Sequence, residues 1–90
     1  MKNSKEIERM IKGAANHHRI RILQLLDAEP ELTLAQISKE LYIINFKTTS
    51  EHVRRMAIAG LLMKRYEGNN VHHRLTPRGT SILKFLRIWE

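Results

Sequence analysis

The 90-residue chain has no cysteine, and that absence removes disulfides, thiolate metal sites and thiol redox switches from consideration. It has no apolar run near the roughly 18 to 20 residues that a membrane-crossing helix needs, and its first dozen residues lack the apolar centre of a signal peptide. A cytoplasmic protein with no membrane partner is expected. No internal repeat and no low-complexity segment is present. There is no glycine-rich phosphate loop, no HExxH and no nucleophile elbow. The paired carboxylates Glu6/Glu8 and Glu29/Glu31 fall in terminal or loop segments without a partner for acid–base work. An enzyme is therefore not expected, and residues 1–90 are too few for a core plus a separate catalytic domain. One domain is the expectation.

Acid is also scarce: 9 Asp and Glu stand against 16 Lys and Arg, a net charge of +7. Most of the imbalance falls in one segment. Between Asn45 and Gly79 the cations Lys47, Arg54, Arg55, Lys64, Arg65, Arg74 and Arg78 face only Glu51 and Glu67, whereas residues 1–44 are nearly balanced. Clustered cations are the footprint of a polyanion partner, because each Lys or Arg set against a phosphate releases condensed counterions. A membrane-surface patch would need large apolar residues opposite the charge, which Ala57 and Ala59 do not supply.

Within that segment the stretch from Asn45 to Gly60 reads as one helix. Asn45 is a suitable N-cap and Gly60 a suitable stop. Thr49, Val53, Met56 and Gly60, with Ala57 beside them, recur at helical spacing and would face a core, leaving Lys47, Ser50, Glu51, Arg54 and Arg55 outside. A charged outer face is most often just the solvated side of a surface helix. The preceding sequence favours a second reading. Thr33 and Gln36 form a capping box ahead of Leu34, Ala35, Ile37 and Leu41, a helix of about nine residues. Tyr42-Ile43-Ile44 then leads straight to Asn45. Two helices joined so tightly, the second one basic outside, make a helix-turn-helix pattern.

Earlier in the chain, Ser4 precedes a helix carrying Ile7, Met10, Ile11 and Ala14, with Gly13 weakening its end. Asn16 would cap a second helix whose Ile20, Ile22, Leu23, Leu25 and Leu26 cover most of its circumference, so it should be the central core helix. Pro30 closes the loop that follows, and Leu32 could pair briefly as a strand. After Gly60 the period changes. Leu61–Tyr66 and Val71–Leu75 are strand-length runs around Glu67-Gly68-Asn69-Asn70, a hairpin with Val71, His73 and Leu75 on one face and His72 and Arg74 on the other. Thr76-Pro77 starts a last helix with Ile82, Leu83, Phe85, Leu86, Ile88 and Trp89, more apolar side chains than one face needs.

The series of elements resembles a winged helix-turn-helix of the ArsR type. The likeness runs from about Ala15 to Pro77. It is carried by Arg19-Ile20-Arg21-Ile22-Leu23-Gln24-Leu25-Leu26, by Leu34-Ala35-Gln36-Ile37-Ser38-Lys39-Glu40-Leu41 and by Thr48-Thr49-Ser50-Glu51-His52-Val53. Its most specific part is Ala59-Gly60-Leu61-Leu62 with Glu67-Gly68-Asn69-Asn70-Val71-His72-His73-Arg74-Leu75-Thr76, while Thr76-Pro77-Arg78-Gly79 resembles the end of the wing in MarR-like regulators. The fold class expected is mainly α with a small β-hairpin: five helices and a two- to three-stranded wing. The helix-turn-helix should occupy about 34–60, the wing about 61–76, and terminal helices at 4–14 and 77–89 should serve dimerisation. The resemblance implies a homodimer that binds a pseudo-palindromic double-stranded DNA operator and represses transcription. Its dimer contacts would come from Ile7, Met10, Ile11, Ile82, Phe85, Leu86 and Trp89. The sequence departs from the family at Ile43, where glycine usually turns the chain, and at His73, in place of an aromatic.

Lys47, Ser50, Glu51 and Arg54 are the candidates for base edges or adjacent phosphates, since Arg54 can grip guanine O6 and N7 and Glu51 can accept from cytosine N4. Thr48 and Arg55 are candidate phosphate ligands, and Phe46 would touch a thymine methyl or pack under the turn. Asn69, Asn70, His72 and Arg74, with Arg65 on the neighbouring strand, could reach backbone or minor groove from the wing. Adjacent histidines at 17 and 18 and at 72 and 73 do not chelate one ion unaided, so neither a metal nor another cofactor is expected. Any small-molecule effector is left open, and one would have to sit in the core or at the dimer interface. The competing reading is a winged-helix module or small subunit that binds protein rather than specific DNA.

Overall fold

A computed structural model describes residues 3–42 and 44–89. Their elements are α1 (Ser4–Ala14), α2 (His17–Ala28), β1 (Leu32–Thr33), α3 (Leu34–Glu40), α4 (Phe46–Ile58), β2 (Leu62–Glu67), β3 (Asn70–Leu75) and α5 (Pro77–Arg87). The turn expected at Ile43 lies outside the described residues.

Each helix start is set by a side chain that accepts from an otherwise unpaired amide. Asn3, not Ser4, caps α1 by accepting from Glu6 N at 2.9 Å; Ser4 is the first helical residue. Asn16 accepts from His18 N at 2.8 Å and Asn45 from Thr48 N at 2.8 Å. At α3 the capping box is reciprocal, Gln36 N donating to Thr33 Oγ1 at 3.2 Å and Thr33 N to Gln36 Oε1 at 2.8 Å. This helix has 7 residues, shorter than the sequence suggests, because Leu41 already leaves the helical conformation at φ −101°, ψ 43°. Gly60, at φ 80°, ends α4 in a Schellman motif: Leu61 N donates to Met56 O and Gly60 N to Ala57 O.

The sheet order is β1-β3-β2, all antiparallel. Leu32 does pair, opposite His73. The hairpin turn is tighter than the four residues expected, since Glu67 and Asn70 are paired and only Gly68-Asn69 lie between them. Gly68 has φ 61° and Asn69 is not at positive φ, the combination of a type II′ turn, whose twist matches that of the strands. Inward from the sheet, Ile22, Leu23 and Leu26 of α2 meet Ile37, Leu41, Met56, Leu61 and Leu83, all at most 2 % exposed. Full burial of side chains of this size contributes about 1.5 to 3 kcal/mol each, so this cluster is what holds α3 and α4 in place. No helix among the described residues is long and apolar enough to cross a membrane.

Candidate nucleic-acid interface

The inner edge of α4 is pinned by Thr49, Val53 and Met56, which are buried, with the Thr49 hydroxyl donating to Asn45 O at 3.1 Å. That fixes what faces out. Phe46, Lys47, Thr48, Glu51, Arg54 and Arg55 are exposed and Ser50 is half-buried; Lys47, the adjacent Ser50 and Glu51, and Arg54 are set three to four residues apart along one face. Glu51 is clasped by two guanidinium groups. Arg54 Nη2 and Arg55 Nε each donate to its Oε1 at 2.9 Å. Hydrogen bonding from Arg54 holds the Glu51 carboxyl below its ordinary range and raises Arg54 in turn. Exposed pairs of this kind are screened by water and weak, so phosphate oxygens can take over either guanidinium at small cost.

On the hairpin, Asn69 and Asn70 are exposed at the tip, Arg74 is exposed and His72 is half-buried. Arg65 is committed inside the molecule. Its Nε and Nη2 donate to the two oxygens of Glu31 at 3.0 and 2.6 Å, and its Nη1 lies 2.9 Å from Glu67. Those hydrogen bonds raise Arg65 and hold Glu31 low. Arg74 Nη1 is 3.9 Å from Glu31, so Arg65 and Arg74 share one carboxylate at the foot of the wing. His73 faces the core, and its Nδ1 lies 3.2 Å from Leu32 O. A carbonyl can only accept, so Nδ1 carries the proton. Burial keeps this ring's pKa low.

Away from α4, the first and last helices leave apolar surface open. Ile11, Ala14, Ala15, Ile20, Ile82, Phe85 and Leu86 line a groove of about 210 Å³. Ile11 and Phe85 are each 54 % exposed and Trp89 75 %, with the Phe85 and Trp89 rings edge to face at 6.4 Å. Ile7, Met10, Ile82 and Leu86 are half-buried beside them.

No family model and no curated sequence matches the chain. Solved structures do. HlyU from Vibrio cholerae superposes with a TM-score of 0.83 at 26 % identity, over 98 % of this chain and 95 % of that one. A homodimeric winged helix-turn-helix DNA-binding domain from Mycobacterium bovis, a possible ArsR-family transcriptional regulator, gives 0.82 at 25 %, over 93 % and 77 %. A possible transcriptional regulator for arsenical resistance gives 0.73 at 29 %, over 90 % and 84 %. The fold is the ArsR-type winged helix-turn-helix.

In the ArsR-type frame, α3 and α4 are the helix-turn-helix and β2–β3 the wing. Sequence inspection picked out the outer residues of both, but it passed over three cations. Arg9 and Lys12 of α1 and Arg19 of α2 join Arg54 and Arg55 around a cleft of about 330 Å³, lined also by Gly13, Ile58 and Ala59. Arg19 Nε donates to His52 Nδ1 at 3.0 Å and its Nη1 to Lys12 O at 3.0 Å. His52 is therefore neutral with its proton on Nε2, and burial, then Arg19, pushes its pKa down. His17, His18 and His52 lie in a row, with ring centroids 3.9 and 5.7 Å apart. No group of three or more His, Asp or Glu among the described residues is placed to hold a metal ion. The local signal for the cleft was available: Arg9, Lys12 and Gly13 share one face of α1, and the glycine marks where that face meets α4.

Proposed function

We propose that the chain is a sequence-specific regulator of transcription that binds double-stranded DNA, works as a homodimeric repressor and performs no catalysis. The observation that carries this reading is the outward row of Lys47, Ser50, Glu51 and Arg54 on a helix whose other side is locked into the core. A rigid, capped helix holds its side chains at fixed spacing, which is what reading base edges in a major groove requires. In this reading residues 34–60 dock on the duplex. Lys47 and Arg54 supply the strongest contacts, Phe46 the apolar one, Thr48 and Arg55 bind phosphate, and Asn69, Asn70, His72 and Arg74 of the wing follow the flanking backbone. Arg65 acts indirectly, by keeping Glu31 occupied beside Arg74.

Support for the homodimer comes from the groove between α1 and α5. Its exposed Ile11, Phe85 and Trp89 make an apolar surface that a second copy would cover, and the Mycobacterium bovis domain of the same fold is homodimeric. Paired reading helices would then demand two half-sites about one helical turn apart.

Fluorescence anisotropy on random-sequence duplex DNA at about 50 and 200 mM salt tests the reading, with mass in solution measured in parallel. Contacts to six or more phosphates predict a loss of about 10³-fold or more between those salts, a uniform weakening in Lys47→Ala and Arg74→Ala, and a dimer that Phe85→Glu turns into a monomer. Absence of binding at the lower salt would overturn the DNA reading and favour a protein partner. A monomeric wild type would overturn the homodimer.

A further inference from the structure

The cleft between α1 and the second half of α4 shares Arg54 and Arg55 with the outer face of that helix, but its other cations lie on α1 and α2, away from the row proposed to read bases, and it concentrates charge without balancing it. Arg9, Lys12, Arg19, Arg54 and Arg55 converge on it from three helices. Of the nearby acids, Glu51 is occupied by Arg54 and Arg55, and Glu8 lies 3.8 Å from Lys12 in an exposed pair. Among the described residues neither Arg9 nor Arg19 has a carboxylate within ion-pair distance. Arg19 is the telling group. It is half-buried, its hydrogen bonds go to a neutral imidazole and a backbone carbonyl, and burial followed by the nearness of Arg55 disfavours its charge. A guanidinium does not lose its proton in a protein, and Glu51, the acid that favours the Arg19 charge, is already held by Arg54 and Arg55, so an anion entering the cleft would be favoured there.

We propose that this cleft is a binding site for a phosphate group, with Arg19 at its floor and Arg9, Lys12 and Arg55 at its rim. Donors arriving from three helices suit a tetrahedral oxyanion with oxygens in several directions, whereas a carboxylate is satisfied by one planar fork. The apolar side chain of Ile58, 69 % exposed at the edge of the cleft, leaves room for the organic part of a phosphate ester. Two sources carry the same chemistry, a free phosphorylated small molecule and the backbone of bound DNA. Either one would place its charge between α1 and the reading helix and so tie their relative position to occupancy. The proposal does not depend on sequence-specific DNA reading.

The test uses inorganic pyrophosphate on the whole protein, read by calorimetry and by the NMR signal of the Arg19 Nε–H. The expected result is saturable one-to-one binding that moves this signal. It should weaken at least ten-fold in Arg9→Gln/Lys12→Gln, whose altered side chains are solvent-exposed, and change less than two-fold in Lys47→Ala. If pyrophosphate does not saturate, but the double variant lowers the slope of DNA affinity against salt by about two, the phosphate comes from the DNA backbone and the site stands. Pyrophosphate binding that the double variant leaves intact, or no binding together with an unchanged DNA salt slope, would overturn the site. Because the first arm contains no DNA, loss of the DNA reading and loss of this site are separately visible.

Discussion

At position 13 a hydrogen stands where most residues carry a carbon, and that sets how closely α1 lies against the end of α4. A Cβ built on Gly13 would fall 2.5 Å from Ala59 Cβ and 3.2 Å from Leu61 Cδ1. Neither neighbour is a long flexible side chain. Gly13→Ala should therefore lower stability even though alanine is about 0.5 to 1 kcal/mol the better helix former, since overpacking costs about 1 to 3 kcal/mol. Urea titration decides it: a higher midpoint for the alanine variant would mean that the two helices can separate freely. From sequence, Gly13 is only a weak point of its helix. Propensity is a local quantity, and the contact that gives this residue its place is made by Ala59, distant along the chain. Arg65 illustrates the same limit. Its charge and strand position are plain in the sequence, but its partner Glu31 is 34 residues away, so a side chain read as reaching for DNA is engaged within the protein.

Helix starts were legible for the converse reason. Every cap acts over two or three residues, and the acceptors at Asn16, Thr33, Asn45 and Thr76 were all identifiable before any tertiary information. At α1 the acceptor is one residue earlier than expected, because Asn3 and Ser4 are both able caps and only geometry chooses between them. For α4 the cap has a measurable part in the proposed DNA contact. Asn45→Ala should cost about 1 kcal/mol, while Asn45→Asp or Asn45→Ser should cost little. The loss would fall on the first turn, where Phe46, Lys47 and Thr48 sit, and hydrogen exchange of the Thr48 amide should rise in the alanine variant. An unchanged exchange rate there would show that the cap is redundant. The hairpin was legible in place and face but not in turn length, since Glu67 and Asn70 look like loop residues until their pairing is seen.

Across the whole molecule, three imidazoles at the seams between elements tie stability to pH. His18 and His52, between α2 and α4, and His73, between the sheet and the core, are all held below their ordinary value of 6.5, each first by burial. Well above pH 6.5 they are neutral whether the chain is folded or not, and they contribute no pH dependence. As the pH falls below 6.5 the unfolded chain takes up protons that the folded one resists, so stability must drop. Glu31 and Glu51 act in a lower window. Their folded values lie below 4.5, so the stability they contribute above that value is lost as the pH falls beneath it. Urea midpoints should be level between about pH 8 and 7, decline through pH 6 to 5, and decline again below 4.5. A midpoint that holds or rises on going to pH 5.5 would contradict the assignment of these rings as neutral.

The residue that closes the wing also bears on the shape of the molecule as a whole. Thr76 N donates to Leu61 O at 3.1 Å, its hydroxyl donates to Gly60 O, and the same hydroxyl oxygen accepts from Gly79 N at 3.0 Å as the cap of α5. The two feet of the hairpin are thus buckled to each other where α4 ends and α5 begins. Beyond that buckle the strands are tied to the body through β1 and Glu31, and only the tip at Gly68-Asn69 projects free of it. Arg78 Nη1 also donates to Ala59 O and Gly79 lies directly against Leu61 O, so α4 and α5 are joined beneath the hairpin, and the chain can lengthen or shorten at Gly68-Asn69 without turning the two helices against each other. The hairpin tip is accordingly where a fused tag, or a longer reach toward the proposed DNA partner, could be added without disturbing the α1–α5 surface proposed to join two copies.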